Sequence, residues 1–219
     1  MSDINNIYTL TLVRHGESMG NANGVWQGQA DFELTETGKS QAAALAQHWQ
    51  QEGKSFDLAI TSPLKRARQT AEIIAARLQV PLETDADWME WDIGEYSGLN
   101  DATIDERFGR RQKFSHPMLP VGKIGESKWM LMGRAARALQ TVTSRQPGQY
   151  LIVAHGAVLN LALMVCLGIS LPPNDGGAHF RFFNTSVAEL TYDPGRYRWT
   201  LEKLNDQRHL ESLSKTERV

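Results

Sequence analysis

Three features are scarce in this sequence, and each scarcity excludes a class of protein. Cysteine occurs once, at Cys166, so no internal disulfide can form, and we expect a small core side chain in a reducing compartment. The apolar stretch around Cys166 is interrupted by Asn160 and Gly168 and falls short of the ~20 residues of a membrane-spanning helix. No basic segment followed by an apolar one marks a secretory signal near the first residues. We therefore predict a cytoplasmic protein without a membrane partner.

An excess of one charge is also missing. The 23 lysines and arginines nearly cancel the 25 aspartates and glutamates, so no overall field draws the chain to nucleic acid. Any anionic ligand must be bound by a local group of residues. Clusters of histidine and cysteine at ligand spacing are absent too, and we predict no metal site.

The pattern of apolar residues predicts an α/β protein. A chain of 219 residues can form one domain with its own core, so we expect a single domain over residues 1–219. Helices are predicted to begin near Glu36, at Ser62 as a cap, near Glu126 and near Val158. Strands are predicted near residues 7–13, 56–60, 81–88, 150–154, 179–183, 187–192 and 197–204. These elements indicate a three-layer α/β/α sandwich with a mainly parallel central sheet.

Two segments lack a clean period. Residues 100–125 are expected to form an irregular excursion, whose basic residues between Arg107 and Lys113 either bind a distal anionic group of a substrate or are simply solvated. Residues 205–219 are polar and are expected to be a solvated tail. The alternating strands between Phe180 and Leu204 could leave an exposed edge, which makes a homodimer an open alternative.

Two of the predicted strands end in a histidine followed by glycine. The first ends in Val-Arg-His-Gly at residues 13–16, and a later strand ends in Val-Ala-His-Gly at residues 153–156. Ligands of α/β sheets bind beyond the carboxyl ends of the strands, so His15 and His155 are expected to face one pocket. Gly16 has no side chain, which allows a ligand or another part of the backbone to come close to His15.

Two arginines are expected at the same pocket. Arg14 precedes His15, and Arg66 lies in the predicted first turn of the helix that follows the second strand. A helix N-terminus favours an anion, and a guanidinium group can bind phosphoryl oxygens with two parallel hydrogen bonds. This combination predicts a phosphoryl-binding site.

In these motifs the chain resembles the histidine phosphatase superfamily, which contains the cofactor-dependent phosphoglycerate mutases and related phosphatases. The resemblance spans nearly the whole chain, and its order and spacing are specific. It is carried by residues 12–18 with Asn21, Gln27-Gly28 with Asp31, Leu34-Thr35 with Gly38, residues 61–71, Glu90 with Gly94, residues 125–127 and residues 153–156. It implies a phosphoglycerate mutase-like fold.

The resemblance also implies roles for individual residues. His15 would be phosphorylated during turnover, and Glu90 would be the proton donor, although Asp92 and Glu95 in the same loop compete with it. The phosphoryl oxygens would be contacted by Arg14, Asn21, Arg66 and His155, with Gln27 and Gly156 as further substrate or phosphate contacts. An attacking imidazole must be neutral at one nitrogen and held through the other, most simply by a main-chain carbonyl.

The preferred function is a metal-independent phosphomonoester hydrolase that acts on a small phosphorylated metabolite through a phosphohistidine, with no required cofactor. The first alternative is a phosphoglycerate mutase, which would use 2,3-bisphosphoglycerate. The modest length of the 100–125 excursion favours hydrolysis, because mutases of this family usually carry a longer one. The second alternative is a phosphate-binding regulatory protein without turnover.

Overall fold

One mixed six-stranded sheet forms the centre of the computed structural model, which describes residues 6–109, 116–172 and 177–211. The strands run in the order β3-β2-β4-β1-β5-β6. Strands β1 to β4 pair with one another in parallel. Strand β5 pairs antiparallel with β1 and with β6. Their bounds are β1 Tyr8–Arg14, β2 Leu58–Thr61, β3 Leu82–Thr84, β4 Gln149–Ala154, β5 Val187–Asp193 and β6 Arg198–Asp206.

Helices cover both faces of the sheet, which confirms the predicted α/β/α sandwich. Helices α5 and α6 pack on the face that carries Leu10 and Ile152, while α2 and α3 pack on the face that carries Val13 and Val153. This division follows from the alternation of side chains along each strand. The helices are α1 Met19–Ala22, α2 Glu36–Gln51, α3 Lys65–Leu78, α4 Asp101–Phe108, α5 Lys128–Thr143 and α6 Gly156–Cys166.

The pairing of β1 with β4 determines where the functional residues lie. Arg14 stands opposite Ala154 in this parallel pair, so His15 and His155 follow at the same edge of the sheet. On the other side of β4, Thr61 stands opposite Val153, which places Ser62 at the same edge. These strand ends therefore lie together at one edge of the sheet.

The structure corrects three details of the predicted elements. Residues 179–183 are not a strand, although β5 and β6 form close to their predicted positions. Ser62 is not the cap of α3, because Leu64 occupies that position without a side-chain hydrogen bond. The 100–125 segment is not wholly irregular, because helix α4 begins at Asp101, capped by the side chain of Asn100. The basic residues 110–113 lie outside the described residues.

The predicted solvated tail is also partly structured. Strand β6 extends to Asp206, and a short 3-10 turn, Arg208–Leu210, buries His209 to 5% exposure. Residues 212–219 lie outside the described residues. Cys166 is a buried free thiol, as predicted, and its burial raises the pKa to about 12. Within the described ranges, no helix combines the length and apolarity needed to cross a membrane.

Candidate active site

His15 is held at the end of β1 by backbone contacts on several sides. Its imidazole is 2% exposed, and its backbone N–H donates to the carbonyl of Ala154 at 3.0 Å. Nδ1 lies 2.7 Å from the carbonyl oxygen of Gly16. A carbonyl can only accept, so Nδ1 carries the proton and the lone pair is on Nε2. The main-chain contact expected for a nucleophilic histidine is therefore present.

Gly16 allows this geometry because another backbone passes beside it. A Cβ atom at this position would lie 2.5 Å from the carbonyl oxygen of Gly38 in α2. The Gly16 N–H donates to the Thr70 hydroxyl at 3.0 Å, and that hydroxyl donates to the carbonyl of Arg66 at 2.7 Å. Thr70 thus connects the nucleophile loop to the helix that carries the second arginine.

The two histidines face each other as electrically neutral rings. Their ring centroids are 5.2 Å apart. Burial lowers the pKa of His15 well below its ordinary value, and the charges of Arg14 and Arg66 lower it further. Burial also lowers the pKa of His155, and the positive charge of Arg66 lowers it further. Both imidazoles are consequently neutral near pH 7, and a neutral imidazole has a lone pair available to act as a nucleophile.

Ser62 orients His155 and was not recognised in this role from the sequence. Its hydroxyl accepts from the Leu64 N–H at 3.2 Å and lies 2.8 Å from His155 Nε2. We assign the hydroxyl as the donor to Nε2, which places the ring proton on Nδ1. That Nδ1 atom is buried and has no hydrogen-bond partner in the described part of the chain, so a donor is left for a ligand.

Arg14 and Arg66 are each anchored through the terminal nitrogen atoms of the guanidinium group. Arg14 Nη1 donates to the carbonyl of Phe182 at 2.7 Å. Arg66 donates to the carbonyls of Ala30 and Gly28 at 2.8 and 2.7 Å. The Nε atoms of both arginines are buried without a hydrogen-bond partner among the described residues. Burial lowers the pKa of Arg66 to about 10, so both groups remain cationic at neutral pH.

Glu90 lies at the N-terminus of α6. Its carboxylate accepts from the N–H groups of Ala157 and Val158 at 3.2 and 3.3 Å, and from the N–H of Trp91 at 2.9 Å. Burial lowers the pKa values of Arg14 and Arg66, and the negative charge of Glu90 partly opposes that lowering. The competing Asp92 and Glu95 bind elsewhere: Asp92 accepts from the Gly94 N–H, and Glu95 pairs with Lys123. Glu90 is the loop carboxylate that adjoins the two arginines.

A buried arginine that the sequence analysis missed holds the Glu90 loop. Arg134 of α5 donates to both oxygens of Glu126 at 2.9 and 2.6 Å. The same guanidinium donates to the carbonyls of Asp87, Met89 and Glu90 at 3.0, 2.6 and 3.0 Å. We call this group the Arg134 clamp. It fixes the backbone on both sides of the residue that carries the carboxylate.

The remaining predicted residues are Asn21, Gln27 and Gly156. Asn21 Oδ1 accepts from the N–H and hydroxyl of Ser18 at 3.2 and 2.9 Å. The Ser18 hydroxyl also lies 2.8 Å from Gln27 Oε1. Gly156 begins α6, and a Cβ there would meet Arg14 Nε at 3.9 Å. Gln27 and Glu90 line one pocket, and Arg14 and Gly156 line a second one that shares Trp91 and Ala157 with it.

The turn before β5 holds the backbone of Arg14 and His15 by hydrogen bonds. Neither periodicity nor motif spacing in the sequence indicated these contacts. Asn184 Nδ2 donates to the carbonyl of His15 at 2.9 Å and to Asn21 Oδ1 at 3.3 Å. The N–H of Thr185 donates to the Arg14 carbonyl at 2.9 Å, and its hydroxyl lies 2.9 Å from Nε2 of the buried His209. The C-terminal turn is therefore part of the support of the site.

Comparisons with known proteins agree with this geometry. The profile of the histidine phosphatase superfamily (branch 1) matches residues 10–207. A probable phosphoglycerate mutase of Yersinia enterocolitica is 33% identical over 91% of this chain and 94% of its own length. An uncharacterized phosphatase of Bacillus subtilis is 31% identical over 93% of this chain and 97% of its own length.

The fold is shared with solved structures as well. A putative α-ribazole-5'-phosphate phosphatase of Escherichia coli superimposes with a TM-score of 0.79, at 26% identity, over 91% of this chain and 97% of that one. The resemblance stated from the sequence motifs is confirmed by the profile match and by the structural match. The chain belongs to the histidine phosphatase superfamily, branch 1.

Proposed function

We propose that this protein is a metal-independent phosphomonoester hydrolase that works through a phosphohistidine on His15. One observation carries the proposal: three buried nitrogen atoms around His15 have no hydrogen-bond partner in the described chain. They are Arg14 Nε, Arg66 Nε and His155 Nδ1. A buried polar atom without a partner costs free energy, and a phosphoryl group would supply oxygen acceptors to all three.

In the first step, His15 Nε2 attacks phosphorus, and the bond from phosphorus to the leaving oxygen breaks. The Gly16 carbonyl accepts a hydrogen bond from the Nδ1–H group throughout and stabilises the positive charge that develops on the ring. Arg14, Arg66 and His155 stabilise the equatorial oxygens, where the charge of the transition state is spread. The donors are already in place, so little reorganisation is required.

We assign the proton transfers to Glu90. The Glu90 carboxyl donates a proton to the leaving oxygen as the bond from that oxygen to phosphorus breaks. In the second step the Glu90 carboxylate takes a proton from water, the water oxygen attacks phosphorus, and the bond to His15 Nε2 breaks to release phosphate. The Arg134 clamp keeps the carboxylate in position for both steps.

The second candidate is phosphoglycerate mutase activity, which is favoured by the name of the Yersinia enterocolitica relative. Its first half-reaction is the same, and the phosphoryl group would return from His15 to a bound phosphoglycerate instead of to water. A supply of 2,3-bisphosphoglycerate would then be needed to phosphorylate His15. The open cleft beside the site, about 750 Å³ in volume, supports hydrolysis because it admits water to the phosphoenzyme.

A phosphorus NMR time course separates these functions. The protein is incubated without added metal and with a chelator, together with 3-phosphoglycerate, a trace of 2,3-bisphosphoglycerate and phenyl phosphate. We expect inorganic phosphate to grow without 2-phosphoglycerate. We also expect His15→Ala to abolish release and His48→Ala, in the last turn of α2 with a side chain 32% exposed, to retain it. Rapid interconversion of the phosphoglycerates would establish a mutase, and turnover by His15→Ala would refute the phosphohistidine.

A further inference from the structure

The cleft next to the phosphoryl pocket has a distinctive chemical lining. It starts at Arg14 and Gly156 and extends between α6, the start of α5 and the segment 179–183. Among the described residues that line it there is no aspartate or glutamate. Four of its side chains are aromatic, namely Trp91, Phe180, Phe182 and Phe183. The described lining is therefore rich in aromatic side chains and contains no carboxylate side chain of its own.

One wall of this cleft is fixed relative to the nucleophile. The N–H of Phe180 donates to Asn160 Oδ1 of α6 at 2.8 Å. The carbonyl of Phe182 accepts from Arg14 Nη1 at 2.7 Å, and Arg14 directly precedes His15. A group that binds to this wall is consequently held at a set distance from the phosphorus atom under attack.

Two cations lie against aromatic rings of the cleft lining. The guanidinium of Arg181 is 5.6 Å from the ring centroid of Phe183, and the ammonium of Lys128 is 5.8 Å from that of Trp91. A planar ring packs well on such aromatic faces, and an anion attached to that ring comes within reach of the cations. The same surface offers little to a flexible, uncharged alcohol.

The volume of the cleft also indicates the size of the ligand. About 750 Å³ lies inside the range of roughly 300–1,000 Å³ that is typical of pockets for drug-sized molecules. A three-carbon acid would leave most of this volume and its aromatic walls in contact with water. Burial of that apolar surface is favourable only for a larger leaving group.

We propose that the preferred substrates are phosphomonoesters whose leaving group carries an aromatic ring and, beyond the ring, a second anionic group such as a carboxylate. This inference rests on the proposed hydrolase function. The ring occupies the space between Trp91 and the Phe180 wall, and the distal anion pairs with Arg181 at the outer end.

Four esters of primary alcohols test the inference, because their leaving oxygens need the same help from the general acid. Ethyl phosphate has neither feature, 3-phosphoglycerate has only the carboxylate, 2-phenylethyl phosphate has only the ring, and 2-(4-carboxyphenyl)ethyl phosphate has both. Phosphate release gives kcat/KM for each. We expect the ring to raise kcat/KM by at least roughly tenfold, and the carboxylate to add roughly three- to tenfold on the ring ester.

Two matched variants locate the anion contact. Arg181→Met is expected to reduce the ratio of kcat/KM between the two ring esters to near one, because the guanidinium is removed. Arg196→Met, on the exposed turn between β5 and β6 where Arg196 pairs with Asp193, is expected to keep the ratio of the wild type. Equal kcat/KM for all four esters would overturn the inference while leaving the hydrolase intact. If none of the four esters released phosphate, the proposed hydrolase function would be contradicted.

Discussion

Replacement of Arg134 by methionine tests how the structure positions Glu90. Methionine retains much of the side-chain length, but it cannot donate to the carboxylate of Glu126 or to the three loop carbonyls. The side chains of Arg134 and Glu126 are only 10% and 16% exposed. The variant therefore leaves a carboxylate nearly buried without its cation, and three carbonyls without their donor.

The expected loss of stability follows from these contacts. Removal of one partner of a buried ion pair costs about 3–5 kcal/mol, because the other charge is left unpaired. This is a large part of a typical unfolding free energy of about 5–15 kcal/mol. For a chain of this length it corresponds to a decrease in Tm of roughly 6–20 °C. We also expect kcat for alkyl phosphates to fall, because the Glu90 carboxyl is no longer held beside the leaving oxygen.

Arg137 provides the matched control. It lies on the same helix and pairs with Asp87 at 3.0 Å, but its side chain is 62% exposed. Arg137→Met should cost no more than about 1 kcal/mol. The double variant Arg134→Met with Glu126→Gln should recover part of the lost stability, because the uncompensated charge is gone. Urea unfolding measures all three, and equal losses for the two arginine variants would refute the buried-charge explanation.

Three further predictions concern chemistry, packing and pH. Glu90→Gln should slow phosphate release from alkyl esters by roughly 10²–10⁴-fold and far less from an aryl ester with a good leaving group; equal slowing would assign the acid to another residue. Gly16→Ala should lower the unfolding free energy by about 1–3 kcal/mol, because its Cβ meets the Gly38 carbonyl at 2.5 Å, whereas Gly133→Ala, with open space around it, should not destabilise the fold. Unfolding free energy should also fall between pH 7 and pH 5: burial lowers the pKa values of His15, His155 and His209, the last to about 4, so these groups take up protons more readily when unfolded. Each histidine is expected to lower the unfolding free energy by up to about 1.4 kcal/mol per pH unit below a pH of about 6.5. Equal stability at both pH values would contradict the assignment of these buried histidines as neutral.

The residues proposed to contact the phosphoryl group were predictable because they follow strand ends and local motifs. Arg14 and His15 are contiguous with β1, and His155 is contiguous with β4, so finding two strands was sufficient to bring them together. Arg66 was predictable for a similar reason, since its place in the first turn of α3 depends on local sequence.

The supporting residues were not predictable, because their partners are distant along the chain. Arg134 interrupts the apolar stripe of α5, and only its contact with the Glu90 loop, 44 residues away, explains its burial. His209 lies in a polar stretch that composition alone assigns to solvent, yet it contacts Thr185. The segment 179–183 alternates like a strand, but its backbone hydrogen bonds go to the side chains of Asn160, Arg14 and Asn205 instead of to the backbone of a neighbouring strand.

The position of β1 at the centre of the sheet has a consequence for how the protein is made. Thr9 of β1 pairs with Gln149 of β4 and with Thr191 of β5, so both neighbours of the first strand are synthesised long after it. At about 5–20 residues per second, the ribosome needs on the order of ten seconds or more to produce them. During that interval an apolar strand has unpaired edges and is prone to aggregation. The nascent chain should therefore bind chaperones until residue 193 has emerged, and phosphatase activity should appear only after release of the nearly complete chain.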